Sequence, residues 1–189
     1  MTTIGFGDLR KGLNIELNGQ PYEVVDYTRH KMQQRAPVTR LKVRNLLTGA
    51  VSEKTFQAYE TGFTPADVDS RPSQYLYTDG QFFHFMDIET FDQYQLNKEQ
   101  IGANINYLKE ELILSISFYK GNIIGITLPT FVELTVTDSP PGLKGDTAQG
   151  GTKPATLETG LNLNVPLFVK PREIIKVDTR TGQYVERVS

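Results

Sequence analysis

The sequence predicts an all-β protein built from small barrels or sandwiches. Turn pairs recur along the chain, and alternating apolar and polar residues flank each pair. A single segment has the spacing of a helix, so helices are a minor component. The flanking runs are rich in β-branched and aromatic residues, which are typical of strands. The predicted turns are Asn18-Gly19, Thr48-Gly49, Asp79-Gly80, Lys120-Gly121-Asn122 and Arg180-Thr181-Gly182.

The runs on either side of each turn are the predicted strands. In chain order they are LNIEL and PYEVVDY, RLKVRNL and AVSEKTF, QYLYT and QFFHFMD, ELILSISFY and IIGITL, and EIIKVD and QYVERV. The helical segment is residues 96–111, in which Asn97 is the capping residue and Ile101, Ile105 and Leu108 share one face. An internal glycine weakens this helix, so we expect about two turns at most.

Charge and composition divide the predicted strands into three domains, residues 1–65, 66–129 and 130–189. The first carries nine basic and six acidic residues, the second four and nine, and the third seven of each. A cluster of Pro, Asp and Ser at residues 64–73 and a junction at Pro129 mark the boundaries. Barrels of about 60 residues have small cores, so we expect neighbouring domains to pack together.

The composition argues against several functional classes. The chain has no Cys and two His, His30 and His84, which excludes thiolate zinc sites and disulfides and makes a His-based metal site unexpected. No catalytic triad, carboxylate pair or P-loop has the spacing that its chemistry needs, so we expect no cofactor and no enzyme. The first residues lack the basic start and apolar run of a signal peptide, and no window later approaches eighteen consecutive apolar residues, so we expect a soluble cytoplasmic protein.

The stretch RHKMQQRAPVTRLKVR, residues 29–44, carries six Lys or Arg and no acid in a chain of net charge −2. Its second half alternates as a strand does, with three cations on one face and aliphatic residues in the core. The cations are Arg40, Lys42 and Arg44, and the aliphatic residues are Val38, Leu41 and Val43. Such a row is about 13 Å long, comparable to two phosphate spacings. With Arg29, Lys31 and Arg35 beside it, the row favours nucleic-acid contact over a solvated outer face.

Residues 31–37, KMQQRAP, have neither a tight-turn glycine nor an alternating pattern. They predict a projecting hairpin tip whose cations hold phosphates while Gln33 and Gln34 donate and accept hydrogen bonds. A polar loop without a function stays the alternative. A second long loop, residues 139–156, is rich in Gly and Pro. Loops of this length in small domains are usually functional or disordered.

The last third of the chain carries a family signature. It reads Lys-x-Ala, four residues, Gly, two residues, an aliphatic residue, x and Val-Pro. This chain supplies Lys153, Ala155, Gly160, Leu163, Val165 and Pro166, then Val169 at the next aliphatic place. NLLTGAVSEKTF, QYLYTDGQFFHFMD, TDSPPGLKGDTAQGGTKPAT and VDTRTGQYVERV match as well. Over essentially its whole length the chain resembles bacterial translation elongation factor P, although Arg172 replaces the family's closing Gly.

The resemblance implies a KOW-like barrel followed by two OB-type barrels in an L-shaped outline that mimics tRNA. It also implies a factor that binds the ribosome beside peptidyl-tRNA, promotes peptide bond formation and relieves stalling at consecutive prolines, without being an enzyme itself. The implied partners are both ribosomal subunits, peptidyl-tRNA in the P site, the exit-site mRNA codon and an enzyme that modifies the tip. We expect a monomer with no membrane partner.

The resemblance assigns individual residues to these partners. The tip near the acceptor end of peptidyl-tRNA is Lys31, Met32, Gln33, Gln34 and Arg35, and the residues facing tRNA phosphates are Arg29, Arg40, Lys42 and Arg44. The loop near the exit-site codon includes Gly145, Asp146, Thr147, Gln149, Gly150 and Gly151. Tyr184 and Arg187 match positions near the anticodon stem-loop. For Tyr184, packing within the terminal strand is an equal alternative.

The tip departs from the family's usual Pro-Gly-Lys-Gly-Gly loop, or its Arg-bearing form, in which the basic residue is often lysylated or rhamnosylated. Counting back from Asn45 without gaps puts Gln34 at that position, and a one-residue shift puts Arg35 there. Neither modification therefore follows from the sequence. Three alternatives stay open: a divergent elongation factor P-like paralogue, a general RNA-binding OB protein, and a small hydrolase, which would need a titratable cluster in a pocket.

Overall fold

The computed structural model describes residues 3–30, 38–57, 62–142 and 151–188, apart from the side chains of residues 29 and 30. Within these ranges the strands form three five-stranded sheets. The all-β class predicted from the sequence is confirmed. Among the described residues, no helix is long and apolar enough to span a membrane.

The first sheet has the strand order β4-β3-β2-β1-β5. Its strands are β1 Asn14–Leu17, β2 Gln20–His30, β3 Val38–Asn45, β4 Val51–Gln57 and β5 Thr64–Pro65. Positive φ angles of 52° at Asn18 and 77° at Gly19 give the β1–β2 turn the backbone of a tight hairpin. Beneath the sheet, the Phe63 ring meets the rings of Phe6 and Phe56 edge to face, with centroids 5.1 and 5.0 Å away.

The second sheet has the strand order β10-β9-β6-β7-β8. Its strands are β6 Val68–Thr78, β7 Phe82–Asp87, β8 Gln93–Asn97, β9 Ile113–Tyr119 and β10 Asn122–Thr127. The predicted helix is present between β8 and β9 as α1, Lys98–Ile101, followed by a 3₁₀ helix, Gly102–Tyr107. Asn97 and Gln100 form a reciprocal capping box, and the α-helical turn ends at Gly102, where φ is 60°.

The third sheet has the strand order β13-β12-β11-β14-β15. Its strands are β11 Phe131–Asp138, β12 Thr152–Leu157, β13 Asn162–Pro166, β14 Ile174–Asp178 and β15 Gln183–Arg187. Alternate residues of β11 and β14 point inward and are fully or almost fully buried, which gives this sheet an aliphatic core. The members of that core are Val132, Leu134, Val136, Ala155, Leu157, Val165, Val169, Ile175 and Val177.

The described chain forms two compact units, residues 1–70 with 116–125 and residues 71–115 with 126–189. Within the first unit, Glu16 accepts a hydrogen bond from the Tyr119 hydroxyl at 2.5 Å. A division into three domains at residues 65 and 129 stays a prediction.

Candidate nucleic-acid interface

The three predicted cations of β3 share its solvent face. Arg40, Lys42 and Arg44 are exposed, whereas Leu41 and Val43 between them are fully buried. The alternation follows from the two-residue period of a strand. The structure therefore shows the cation row as the sequence predicted it, while contact with tRNA phosphates stays a prediction.

The start of β3 differs from the sequence prediction. Val38, which was predicted to be a core residue, is only half-buried, and Thr39 is buried in its place. Val38 is an even number of residues from Arg40, so the strand period places it on the cation side. The core face of β3 consists of Thr39, Leu41 and Val43 followed by Asn45.

Neighbouring strands bring acids to two of the three cations. Arg44 forms an ion pair with Glu23 of β2, and its Nε donates to Glu23 Oε2 at 3.1 Å. Lys42 lies in register with Asp26 of β2 and Glu53 of β4. An acid-free stretch of sequence is thus not an acid-free surface, because the strands on either side contribute carboxylates.

Arg40 has a different environment from the other two cations. Its cross-strand partners are Thr28 of β2 and Thr55 of β4, both neutral. Among the described residues, Arg40 forms no ion pair within 4.0 Å. Of the three cations, Arg40 is thus the one without a described carboxylate beside it, and it is the nearest in sequence to residues 31–37.

The sheet surface around these cations forms an open groove of about 330 Å³. Its lining residues are Asp26, Tyr27, Thr28, Arg40, Lys42 and Glu53. Lys11 forms a 3.0 Å ion pair with Asp26. This contact is the main cause that lowers the pKa of the Asp26 carboxyl, and a hydrogen bond from the Tyr27 backbone N–H lowers it further. Asp26 is thus held as a carboxylate, so the groove has mixed charge.

The predicted tip residues Lys31, Met32, Gln33, Gln34 and Arg35 lie outside the described residues, as does the side chain of Arg29. What the structure does give is the backbone on both sides. β2 and β3 pair antiparallel as far as His30 and Val38, the residues next to this segment. The cation row therefore lies on one of the two paired strands that precede and follow the predicted tip in the sequence.

The predicted exit-site loop lies mostly outside the described residues, including Gly145, Asp146, Thr147, Gln149 and Gly150. Gly151 is described and directly precedes β12. The base of the loop is held by side-chain hydrogen bonds. Buried Lys153 donates from Nζ to the Pro140 carbonyl at 2.9 Å, and Ser139 donates to the Pro154 carbonyl at 3.1 Å.

The two predicted residues of the last strand are in different environments. Tyr184 is half-buried and packs against the aliphatic core of the third sheet. Arg187 is exposed, its Nη1 donates to Glu173 Oε1 at 3.1 Å, and its guanidinium lies 5.7 Å from the ring centroid of Phe168. The position of Tyr184 thus matches the alternative in which it packs within the strand. The sequence did not predict that the Phe168 ring lies against Arg187.

His84 is a packed residue of the β6–β7 hairpin. Its ring stacks on Tyr77 with centroids 4.5 Å apart, and its Nε2 lies 2.9 Å from Asp79 Oδ2. The Phe82 backbone N–H, followed by His84, lowers the pKa of Asp79 to about 2. In the described part of the chain, no three His, Asp or Glu side chains are placed to hold a metal ion.

Family models for elongation factor P match three successive segments of the chain. The KOW-like domain matches residues 6–61, the OB domain residues 68–126 and the C-terminal domain residues 132–187. The curated elongation factor P of Carboxydothermus hydrogenoformans is 54% identical over 185 residues, which is 98% of this chain and 100% of that relative. The chain belongs to the elongation factor P family. It is therefore a translation elongation factor.

Other members of the elongation factor P family show the same full-length likeness. The proteins of Caldanaerobacter subterraneus subsp. tengcongensis and Thermodesulfovibrio yellowstonii are 48% and 46% identical, each over 98% of this chain and over 100% and 98% of their own lengths. Identity at this level extends across all three sheets. The KOW-like and OB domains predicted from the sequence are confirmed.

Two solved structures share the fold with this elongation factor P chain. One, described as eukaryotic translation initiation factor 5A from Methanococcus jannaschii, has a TM-score of 0.52 at 21% identity and covers 67% of this chain and 94% of its own. The other, a translation initiation factor eIF-5A family protein from Naegleria fowleri, has a TM-score of 0.51 at 16% identity and covers 67% and 98%. At these identities the likeness establishes the fold.

The elongation factor P signature is explained by the third sheet. Ala155, Val165 and Val169 are buried in its core, and Gly160 has a φ of 83° in the turn between β12 and β13. Lys153 is the polar member of the signature. It is buried, and its Nζ donates to the Pro140 carbonyl at the base of the glycine-rich loop. The signature residues thus stabilise the barrel and the base of the loop. Contacts with other molecules are left to the exposed residues around them.

Proposed function

We propose that this protein binds the ribosome beside peptidyl-tRNA, promotes peptide bond formation and relieves stalling at consecutive prolines. The observation that carries the proposal is the match over 98% of the chain to a relative named elongation factor P, at 54% identity. The exposed cation row of β3 supports it, because such a row complements an RNA backbone.

The first-sheet hairpin is the proposed contact with the acceptor arm. Arg40 offers a guanidinium with neutral cross-strand neighbours, whereas Arg44 is already paired with Glu23. We therefore assign the main phosphate contact to Arg40, a secondary one to Lys42, and a weak one to Arg44. Arg29 and tip residues 31–35 extend this contact toward the aminoacyl end.

The chemical contribution is positioning. Proline has a fixed φ and a secondary amine, which makes it a poor partner in peptide bond formation. A factor that holds the acceptor end of peptidyl-tRNA in a productive geometry lowers the entropic part of the barrier without donating a catalytic group. The protein is accordingly no enzyme in its own right, since the ribosome's own centre carries out the reaction.

The remaining assignments follow the family resemblance. The loop that contains residues 145–151 reaches the exit-site codon from the base fastened by Lys153, and Arg187 contacts the anticodon stem-loop. Tyr184 supports β15 through the core. The protein acts as a cytoplasmic monomer that contacts both ribosomal subunits, and its domains are residues 1–65, 66–129 and 130–189.

The proposal is tested by the rate of tripeptide formation on a Pro-Pro-Pro template, with and without the purified protein. We expect acceleration by the wild-type chain and a loss of much of it in Gln34→Ala or Arg35→Ala, whichever residue occupies the tip. If the wild-type protein leaves the rate unchanged, the proposed function is wrong. If it binds free single-stranded RNA as tightly as it binds ribosomes, a general RNA-binding role replaces it.

The state of the tip is tested by the intact mass of the protein purified from its native source. Gln34 and Arg35 are the candidate positions for the residue that the family modifies. A mass equal to that of the unmodified chain excludes a stable extension, and the unmodified side chains then act directly. A greater mass, located by fragmentation to residues 31–37, identifies the partner enzyme's target.

A further inference from the structure

The turn between Val169 and β14 contains a residue that its backbone does not favour. The Glu173 N–H donates to the Lys170 carbonyl at 3.3 Å, with Pro171 and Arg172 between them, and Arg172 has a φ of 72°. Pro followed by a residue with positive φ is the arrangement of a type II turn, in which the second central position favours Gly. Arg172 therefore carries a Cβ where a glycine would relieve strain.

The backbone around Arg172 holds it in this conformation. The Arg172 N–H donates to the Val136 carbonyl of β11 at 2.7 Å, and the Lys170 N–H donates to Glu173 Oε2 at 2.8 Å. The first bond attaches the turn to β11 at the edge of the buried core, and the second closes the turn on itself. The strain is therefore maintained by surrounding structure, which is the situation in which strained residues often have a functional role.

Within five residues of the chain, this turn carries a cluster of two exposed cations and one exposed aromatic residue. Phe168, Lys170 and Arg172 are all exposed, and Phe168 keeps 57% of its surface accessible. Arg187 lies over the Phe168 ring, and its guanidinium also binds Glu173, the carboxylate within the cluster. The acid of the cluster is thus neutralised, whereas Arg172 forms no ion pair within 4.0 Å to any residue that the structure describes.

We propose that Phe168, Lys170 and Arg172 form an RNA-binding site of the third sheet, in which Arg172 binds a phosphate and Phe168 stacks on a base. A planar guanidinium matches a phosphate in a bidentate manner, and an exposed aromatic ring with Arg187 over one face accepts a base on its other face. This inference rests on the proposed function, because the RNA is that of the ribosomal complex. It adds a contact specific to this chain, since the resemblance gives Gly at this position.

The site is tested by equilibrium binding to ribosomes with peptidyl-tRNA in the P site, measured at several salt concentrations. Arg172→Gln removes the charge but keeps the strained backbone, and Arg172→Gly removes both. We expect both variants to bind about fivefold to tenfold more weakly, with a salt slope about one unit shallower. Only Arg172→Gly should melt at a higher temperature than the wild type, because it relieves the positive φ.

Arg180→Gln is the matched control. It removes the same charge from an exposed position at the other end of β14, where Arg180 is paired with Asp178. We expect its affinity to stay within about twofold of wild type. Equal affinities of wild type, Arg172→Gln and Arg172→Gly would overturn the inference and leave the proposed function standing. A wild-type protein that fails to bind ribosomes would contradict both.

Discussion

At the scale of single residues, the cations of β3 differ in what surrounds them. Arg44 and Glu23 form a local pair of zero net charge, whereas Arg40 is flanked by Thr28 and Thr55. An exposed pair contributes little to stability and must open before Arg44 can bind a phosphate. We therefore expect three residues that look equivalent in the sequence to differ in their capacity to bind RNA.

We predict that Arg40→Gln weakens binding to ribosomes with peptidyl-tRNA by about fivefold, because one charge-assisted phosphate contact is lost. The matched control is the double variant Glu23→Gln/Arg44→Gln, which removes the pair and leaves the net charge unchanged. Its affinity should stay within about twofold of wild type. A larger loss in the double variant than in Arg40→Gln would show that the paired end of the row makes the principal contact.

Lys153 is a buried residue whose hydrogen bond can be tested by substitution. Lys153→Met keeps most of the volume of this buried side chain but removes the Nζ donor to the Pro140 carbonyl. We predict a loss of about 1–3 kcal/mol in the free energy of unfolding, measured by urea denaturation. Lys98→Met, at an exposed position of α1, should change it by less than about 0.5 kcal/mol. A similar small change in Lys153→Met would contradict the structural role given to this residue.

At the scale of elements, the β14–β15 turn depends on one carboxylate. Asp178 accepts hydrogen bonds from Arg180 at the backbone N–H, 2.9 Å, and at the side-chain Nη2, 2.7 Å. The Arg180 side chain, followed by its backbone N–H, lowers the pKa of Asp178 from 3.8 to about 2. Because the folded-state pKa is depressed, this carboxylate stabilises the fold above pH 3.8, and the stabilisation is lost as the pH falls toward about 2.

We predict that Asp178→Asn makes the melting temperature less sensitive to acid. The Asn side chain can still accept from the Arg180 N–H but cannot titrate, so the contribution of this position becomes independent of pH. Melting curves between about pH 2 and pH 6 should show the two proteins differing most at the upper end and converging at the lower end. Parallel curves over that range would mean that Asp178 does not contribute through its charge.

At the scale of the whole molecule, local sequence pattern predicted most of the fold. The hairpin turns, the solvent face of Arg40, Lys42 and Arg44, and the capped turn at Asn97 all depend on neighbours a few residues apart. The predicted helix is α-helical for four residues and 3₁₀ for six, and the change falls at Gly102, the glycine that was expected to weaken it. Local propensity is reliable here because tight turns leave few alternatives for pairing.

The site was predicted less completely, because it depends on residues distant in sequence. The pairing of Arg44 with Glu23 and the position of Lys42 between Asp26 and Glu53 require the register of three strands. The sequence did contain a signal for this mixed charge, because Glu23, Asp26 and Glu53 lie on the predicted strands before and after the basic run. The contact between Arg187 and Phe168 likewise arises from tertiary structure, whereas the positive φ of Arg172 had a local signal in Pro171 and in the family's Gly at this position.

The function of the whole molecule is tested most directly by comparing two templates in the same ribosomal assay. With saturating protein, the rate of tripeptide formation should rise about tenfold or more on Pro-Pro-Pro and change by less than about twofold on Phe-Phe-Phe. The difference is expected because only proline is limited by its geometry as a reactant. Equal acceleration on both templates, or none on Pro-Pro-Pro, would contradict a role in relieving proline stalling.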